Sequence, residues 1–167
     1  HGIGHGATAE AAENPANWGN VAAVLSAGKK DCNLVTKDPG ELEVCWEGVF
    51  NEFQQDINSV QHGFSYDLIN HDFFGICRPE EEKYKKACYF EFIGLIAQFT
   101  RRDFRKSAAM VIKDVPDHNE EAYLMVKLAA DFMQDDIVHE TYDKNVLDCR
   151  SLPSYLHGSC FDGVFLG

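Results

Sequence analysis

Six cysteines in three neighbouring pairs constrain this chain more than any other feature. Cys32 and Cys45 lie thirteen residues apart, Cys77 and Cys88 eleven, and Cys149 and Cys160 eleven. None belongs to a Cys-x-x-Cys motif, so the short zinc knuckle and the thioredoxin signature are both absent. Each second cysteine is followed at once by an aromatic residue: Trp46, Tyr89 and Phe161. Two of these continue almost identically, through Glu47-Gly48-Val49-Phe50 and Asp162-Gly163-Val164-Phe165, which is an internal repeat. Each first cysteine closes a helical-looking stretch. Asp38-Pro39-Gly40 then turns the chain inside the first pair, and Ser151-Leu152-Pro153 inside the third. The pattern predicts that one cysteine ends a helix and its partner lies in the first turns of the next. A bridge between them staples the corner of a helical hairpin. Free core thiols or metal ligation are the alternatives. Closing a loop of this size is worth about 3 kcal/mol in the chain-entropy model. Three such bridges imply an oxidising compartment: secreted, periplasmic or cell-surface.

The apolar spacing predicts an all-α domain. A helix is expected over Ala11 to Lys30, starting near Asn14-Pro15, with Trp18, Val21, Val24 and Leu25 on its apolar face. Glu41 to Ile57 reads as its partner. Pro79 suits a helix first turn, followed by Glu80, Glu81 and Glu82 at the positive end of a dipole, and this helix runs to Phe99. Thr100-Arg101-Arg102-Asp103 approximates a capping box opening the next helix. Pro116-Asp117 breaks it, Glu120 to Val138 is a long amphipathic helix, and a short helix is expected over Lys144 to Asp148. Aligning the second helices places Cys45, Cys88, Ala122 and Cys160 at equivalent positions. The third unit lacks its cysteines. One domain over 1–167 is expected, with units near 1–12, 15–57, 77–99, 101–138 and 143–167 and a long insert at 58–76. Because it begins at His1 and ends in an apolar run, the chain is expected to be a fragment of a longer one.

The run Ala22-Ala23-Val24-Leu25 through Cys32 to Cys45-Trp46-Glu47-Gly48 resembles the tetratricopeptide-like repeats, and most closely their disulfide-clamped, cysteine-rich secreted branch of the Hcp type. The resemblance covers residues 15–167. It departs from that branch in its longer cysteine spacing and in incomplete tyrosine and alanine signatures. It implies an α/α superhelix of stacked hairpins with a concave binding face, and no enzymatic activity. The opening His1-Gly2-Ile3-Gly4-His5-Gly6 resembles a segment of uncharacterised secreted repeat proteins, which supply no function.

Charge narrows the partners. The net charge of -12 repels nucleic acid and anionic membranes, although Arg101, Arg102, Arg105 and Lys106 form one local basic patch. No stretch is long and apolar enough to span a bilayer. The concave face that the resemblance implies leads to a protein or peptide partner as the expectation, with membership of a larger extracellular assembly as a further reading.

Three constellations carry metal-ligating side chains. Placing Gly2 on Gly48 and Gly163 sets His1 opposite Glu47 and Asp162, and His5 opposite Asn51 with Glu52 one step on. His1 and His5, four apart on a helix, have the spacing that two imidazoles on one zinc or copper ion need, with Glu47 or Glu52 as oxygen ligand. The alternative is that the glycines simply permit close helix stacking. The insert offers His62, Asp67, His71 and Asp72 as ligands for a metal or polar substrate, or else its aromatics pin a packed loop. His139-Glu140 followed by Asp143 is half of a zinc-helix motif and reads better as a solvated helix end. His118 and His157 are isolated. No Gly-x-Ser-x-Gly, phosphate-binding loop or dinucleotide fingerprint is present. Two functions follow: an exported scaffold binding a protein or peptide on its concave face, or a metal-binding protein or metal-dependent enzyme built on the His1/His5 pair. The first fits the sequence better.

Overall fold

The computed structural model describes residues 1–139 and 148–167, and among these there are helices and no strands. Seven helices have described bounds: α1 Gly2–Glu13, α2 Val21–Val35, α3 Pro39–Ser59, α4 Glu82–Phe99, α5 Phe104–Asp114, α6 His118–His139 and α7 His157–Leu166. The chain divides into two compact units, His1–Phe92 and Ile93–Gly167, with the boundary inside α4. The short helix expected over Lys144 to Asp148 falls mostly outside the described residues, as does the Glu140 to Asp143 motif.

All three bridges are present, but only two follow a helix end: Cys77 lies in the run of turns before α4, so its bridge ties the insert to that helix. Cys32–Cys45 and Cys77–Cys88 lie in the first unit and Cys149–Cys160 in the second, with Cα separations of 5.8, 5.5 and 5.6 Å. No free cysteine is left. All six are buried, so each bridge packs as core as well as closing a loop.

Local chemistry sets the helix starts, in some places differently from the expectation. Asp38 heads α3 by accepting from the amides of Gly40 and Glu41, both at 3.0 Å, with Pro39 at the first helical position. Asp117 does the same for α6, accepting from Asn119 and Glu120 at 2.8 and 3.0 Å. The helix expected from Asn14-Pro15 begins later, at Val21. Pro15 opens only a single 3-10 turn, Gly19 breaks the path in the left-handed region at φ 71°, and Asn20 then caps α2 through the Ala23 amide at 3.1 Å. Trp18 consequently lies 55% exposed rather than in the core. Pro79 precedes α4 in a turn rather than opening the helix. Thr100 does not cap α5. Asp103 does so, through the Lys106 amide at 3.1 Å, while the buried Thr100 hydroxyl meets the Ile96 carbonyl at 2.8 Å and the Ser107 hydroxyl at 2.7 Å.

The core of the first unit centres on α3, where Val49, Phe50, Phe53 and Ile57 are fully buried against Val24 and Leu25 of α2 and the insert's aromatics. Phe64 meets Phe53 edge-on at 5.0 Å, and Phe74 meets Tyr89 edge-on at 5.2 Å. The insert is thus a packed segment pinned by its aromatic residues, not a solvated loop.

α1 packs differently, because it has almost no large side chains. Its buried positions are Gly4, Thr8 and Ala12, one turn apart each. A Cβ at Gly4 would overlap the Cys45 carbonyl of α3, and one at Gly48 would overlap the His1 carbonyl and press on the His5 amide. A Cβ at Gly28 would overlap the Thr8 hydroxyl. In the second unit Gly163 stands against the Val126 carbonyl and Ala129 of α6. Gly48 and Gly163 are equivalent in the sequence repeat, and both serve to bring one helix backbone onto another.

These approaches give opposite expectations for neighbouring glycines. Nothing lies within 4 Å of a Cβ built at Gly6. Gly6→Ala should stabilise the protein by about 0.5–1 kcal/mol, since Ala costs a helix less conformational entropy. Gly4→Ala should destabilise it by about 1–3 kcal/mol through forced separation of the helices. Urea unfolding followed by circular dichroism measures both, and equal effects at the two sites would contradict the packing described.

Candidate functional site

The backbone contact between α1 and α3 brings His5 onto Glu52. His5 Nδ1 lies 2.8 Å from Glu52 Oε2. That oxygen is buried and receives no hydrogen bond, so the ring nitrogen stands beside it without being aimed at it. One turn further along α3 is Asp56, only 3% exposed. Its Oδ1 lies 2.9 Å from His62 Nδ1, while Oδ2 is buried with no hydrogen-bond partner. Two histidine–carboxylate pairs thus stand on successive turns of one helix, each joining α3 to a different segment.

The turn that supplies His62 is strained. Val60, a β-branched residue, caps α3 at φ 54°, and His62 itself has φ 51°. Left-handed conformations at such residues cost about 1–3 kcal/mol each. Several bonds hold the turn: the Gln61 amide donates to the Asp56 carbonyl at 3.0 Å, and the Gly19 amide donates to the His62 carbonyl at 2.9 Å. The Trp18 ring sits 6.3 Å from the His62 ring. Trp18, left out of the core, forms part of this corner instead.

Electrostatics mark Glu52. Its pKa is raised, chiefly by burial, with Asp56 and Glu13 adding to the effect and the nearby His5 and His62 opposing it. Glu47 is also raised, first by burial and then by Glu91 and Glu43, against the opposing pull of Lys86 and the N-terminal ammonium.

The sequence-derived sets are therefore divided. Of His1, His5, Glu47 and Glu52, only His5 and Glu52 meet. The His1 and His5 rings lie 6.2 Å apart along the α1 surface, and Glu47 stands in a separate acidic group with Glu43 and Glu91. Of His62, Asp67, His71 and Asp72, only His62 joins the cluster. Asp67 accepts from the Asn70 side chain at 3.0 Å, Asp72 pairs with Arg78, and His71 is exposed. Among the described residues, no three His, Cys, Asp or Glu side chains are gathered as a ready-made metal cage. Asp56 escaped the sequence reading. Its signal was a carboxylate four residues after Glu52 and in phase with the core positions Val49, Phe53 and Ile57. The isolated histidines take helix-terminal roles. His118 Nδ1 lies 2.8 Å from the buried Glu121, which also accepts from the Tyr155 hydroxyl at 2.9 Å, and His157 Nε2 lies 2.8 Å from the Leu152 carbonyl.

A second feature of the first unit is an apolar groove of about 500 Å³ beside the α2–α3 corner. Ile3, Val35 and Val44 line it, with His1, Thr36 and Glu41 at its sides. The three apolar residues are 49%, 60% and 46% exposed.

No protein-family model, curated protein or solved structure matches the chain. The fold and its sites define a disulfide-stapled helical protein. Among the described residues no helix is long and apolar enough to cross a membrane.

The Glu47 environment sets a pH dependence. A carboxyl raised above its ordinary value of 4.5 holds its proton more tightly in the folded chain than in the unfolded one. Folding therefore gains as pH falls through the folded value, and the ionised group costs stability above it. Glu47→Gln should raise Tm at pH 7, and the gain should disappear below pH 4.5, where both side chains are neutral. Thermal melts across that range decide it. A gain of the same size at low pH would assign the effect to packing.

Proposed function

We propose that the chain is an exported helical-repeat scaffold that binds a protein or peptide partner. The observation that carries this reading is the groove of Ile3, Val35 and Val44, three large apolar side chains left open to solvent around one concavity. Clustered exposure of this kind is what a docking surface needs. Glu41 lines the groove, Glu43 and Glu47 follow on the same helix, and the chain carries a net charge of -12. The fitting occupant is a short segment with an apolar anchor flanked by lysine or arginine. Stapled corners support the scaffold role, because the Cys32–Cys45 bridge holds the ends of α2 and α3 together beside the groove. The equivalent use of Gly48 and Gly163 supports a repeating hairpin plan, from which an α/α superhelix is built. Three buried disulfides support an oxidising, extracytoplasmic setting.

Panning a random peptide library on the full chain tests this. The enriched peptides should carry an apolar residue flanked by basic ones. By fluorescence anisotropy, Val44→Asp should weaken their binding at least about tenfold with unchanged circular dichroism. Failure to enrich any peptide, or equal binding to wild type and Val44→Asp, would refute the reading.

A further inference from the structure

We propose that His5, Glu52, Asp56 and His62 bind one divalent ion of the zinc class, which closes two half-sites held one helical turn apart. The proposal is independent of the peptide groove.

Three observations carry it. The first is the pair of orphaned oxygens. Glu52 Oε2 and Asp56 Oδ2 are both inaccessible, and neither receives a hydrogen bond. Asp56 is 3% exposed, so water does not satisfy it from outside. Buried carboxylate oxygens without donors are costly, and each calls for a bound partner. A cation satisfies both at once.

The second is the geometry of the His5 contact. Nδ1 and Oε2 stand 2.8 Å apart, yet the ring's in-plane direction misses the oxygen. A proton shared between them would lie close to the line joining the two atoms. A metal ion lies off that line. With bonds of about 2.0–2.2 Å, two ligands of one ion are separated by about 3 Å, and the nitrogen lone pair points to the side of its neighbour. The second pair, His62 Nδ1 and Asp56 Oδ1 at 2.9 Å, is an ordinary hydrogen bond, which leaves Asp56 Oδ2 as the oxygen open to an ion.

The third is the placement of the donors. Glu52 and Asp56 occupy positions i and i+4 of α3, about 5–6 Å apart at Cβ on one face. His5 reaches Glu52 from α1, and His62 reaches Asp56 from the left-handed turn that caps α3. The four donors do not yet surround one point, so loading requires the Asp56 and His62 side chains to rotate toward the His5–Glu52 edge, which stays as it is. Two imidazoles with two carboxylates favour zinc over calcium or magnesium, which take oxygen ligands.

The experiment is zinc titration by calorimetry of the full chain, without a histidine tag and after chelator treatment. One site with a Kd of about 10 µM or tighter is expected. Asp56→Asn and Glu52→Gln should each weaken it at least about tenfold, while His1→Ala leaves it unchanged. Zinc should also raise the Tm of the wild type and not that of Asp56→Asn. Should Asp56→Asn not fold, His62→Ala in the exposed turn replaces it, with the same loss expected. Absence of binding overturns the proposal. So does binding that His1→Ala abolishes, which is a chelate at the α1 surface, and binding that survives loss of both Asp56 and His62.

Discussion

The approach of α1 to α3, backbone against backbone, is the contact on which the first unit depends. Gly4 meets the Cys45 carbonyl and Gly48 meets the His1 carbonyl, so neither helix has a side chain between itself and the other along that seam. Such an interface buries little apolar area per residue and gains instead from close dispersion contact. It is also intolerant of any added atom. The distance it sets decides where His5 falls. A helix kept farther away by an alanine or leucine seam would leave the His5 ring short of Glu52.

The corner disulfides complement this seam. A helix whose buried positions are Gly4, Thr8 and Ala12 contributes little hydrophobic stabilisation. Covalent closure of the neighbouring α2–α3 corner limits the unfolded chain and holds the surface onto which α1 docks. The second unit uses the same two devices, Gly163 against α6 and the Cys149–Cys160 bridge ahead of it. In both units small residues provide the closeness and cystine provides the constraint.

Buried acidity is the other shared theme. In a chain of net charge -12, the most buried carboxylates described each take a specific cationic or imidazole partner: Asp56 with His62, Glu121 with His118, and Asp148 with Arg105 at 3.0 Å. Glu52 stands beside His5 without a hydrogen bond, and Asp56 has one oxygen to spare. Two buried carboxylate oxygens without a hydrogen bond thus stand one turn apart on α3. Sites held unsatisfied at a cost are where function is most often found.

Helix content and cysteine pairing were legible in the chain because both are local. Asp38 opens α3 by accepting from the Gly40 and Glu41 amides just ahead of it, and the thiols of each pair lie within thirteen residues of one another. The misplaced boundaries were local competitions that periodicity does not resolve: Asn20 and Gly19 over Pro15, and Asp103 over Thr100. The candidate site was half legible. His5, Glu52 and His62 were singled out as ligand types, but assigned to separate sets. Sequence spacing shows which side chains share a helix face; it does not show how closely two helices approach or where a left-handed turn returns the chain. Those were decided by tertiary structure, through glycine seams that move α1 inward by a side chain's width and through the Val60–Gly63 turn that folds His62 back onto Asp56. The sequence alone determined a stapled helical protein, and three-dimensional packing alone decided which of its histidines meet which of its acids.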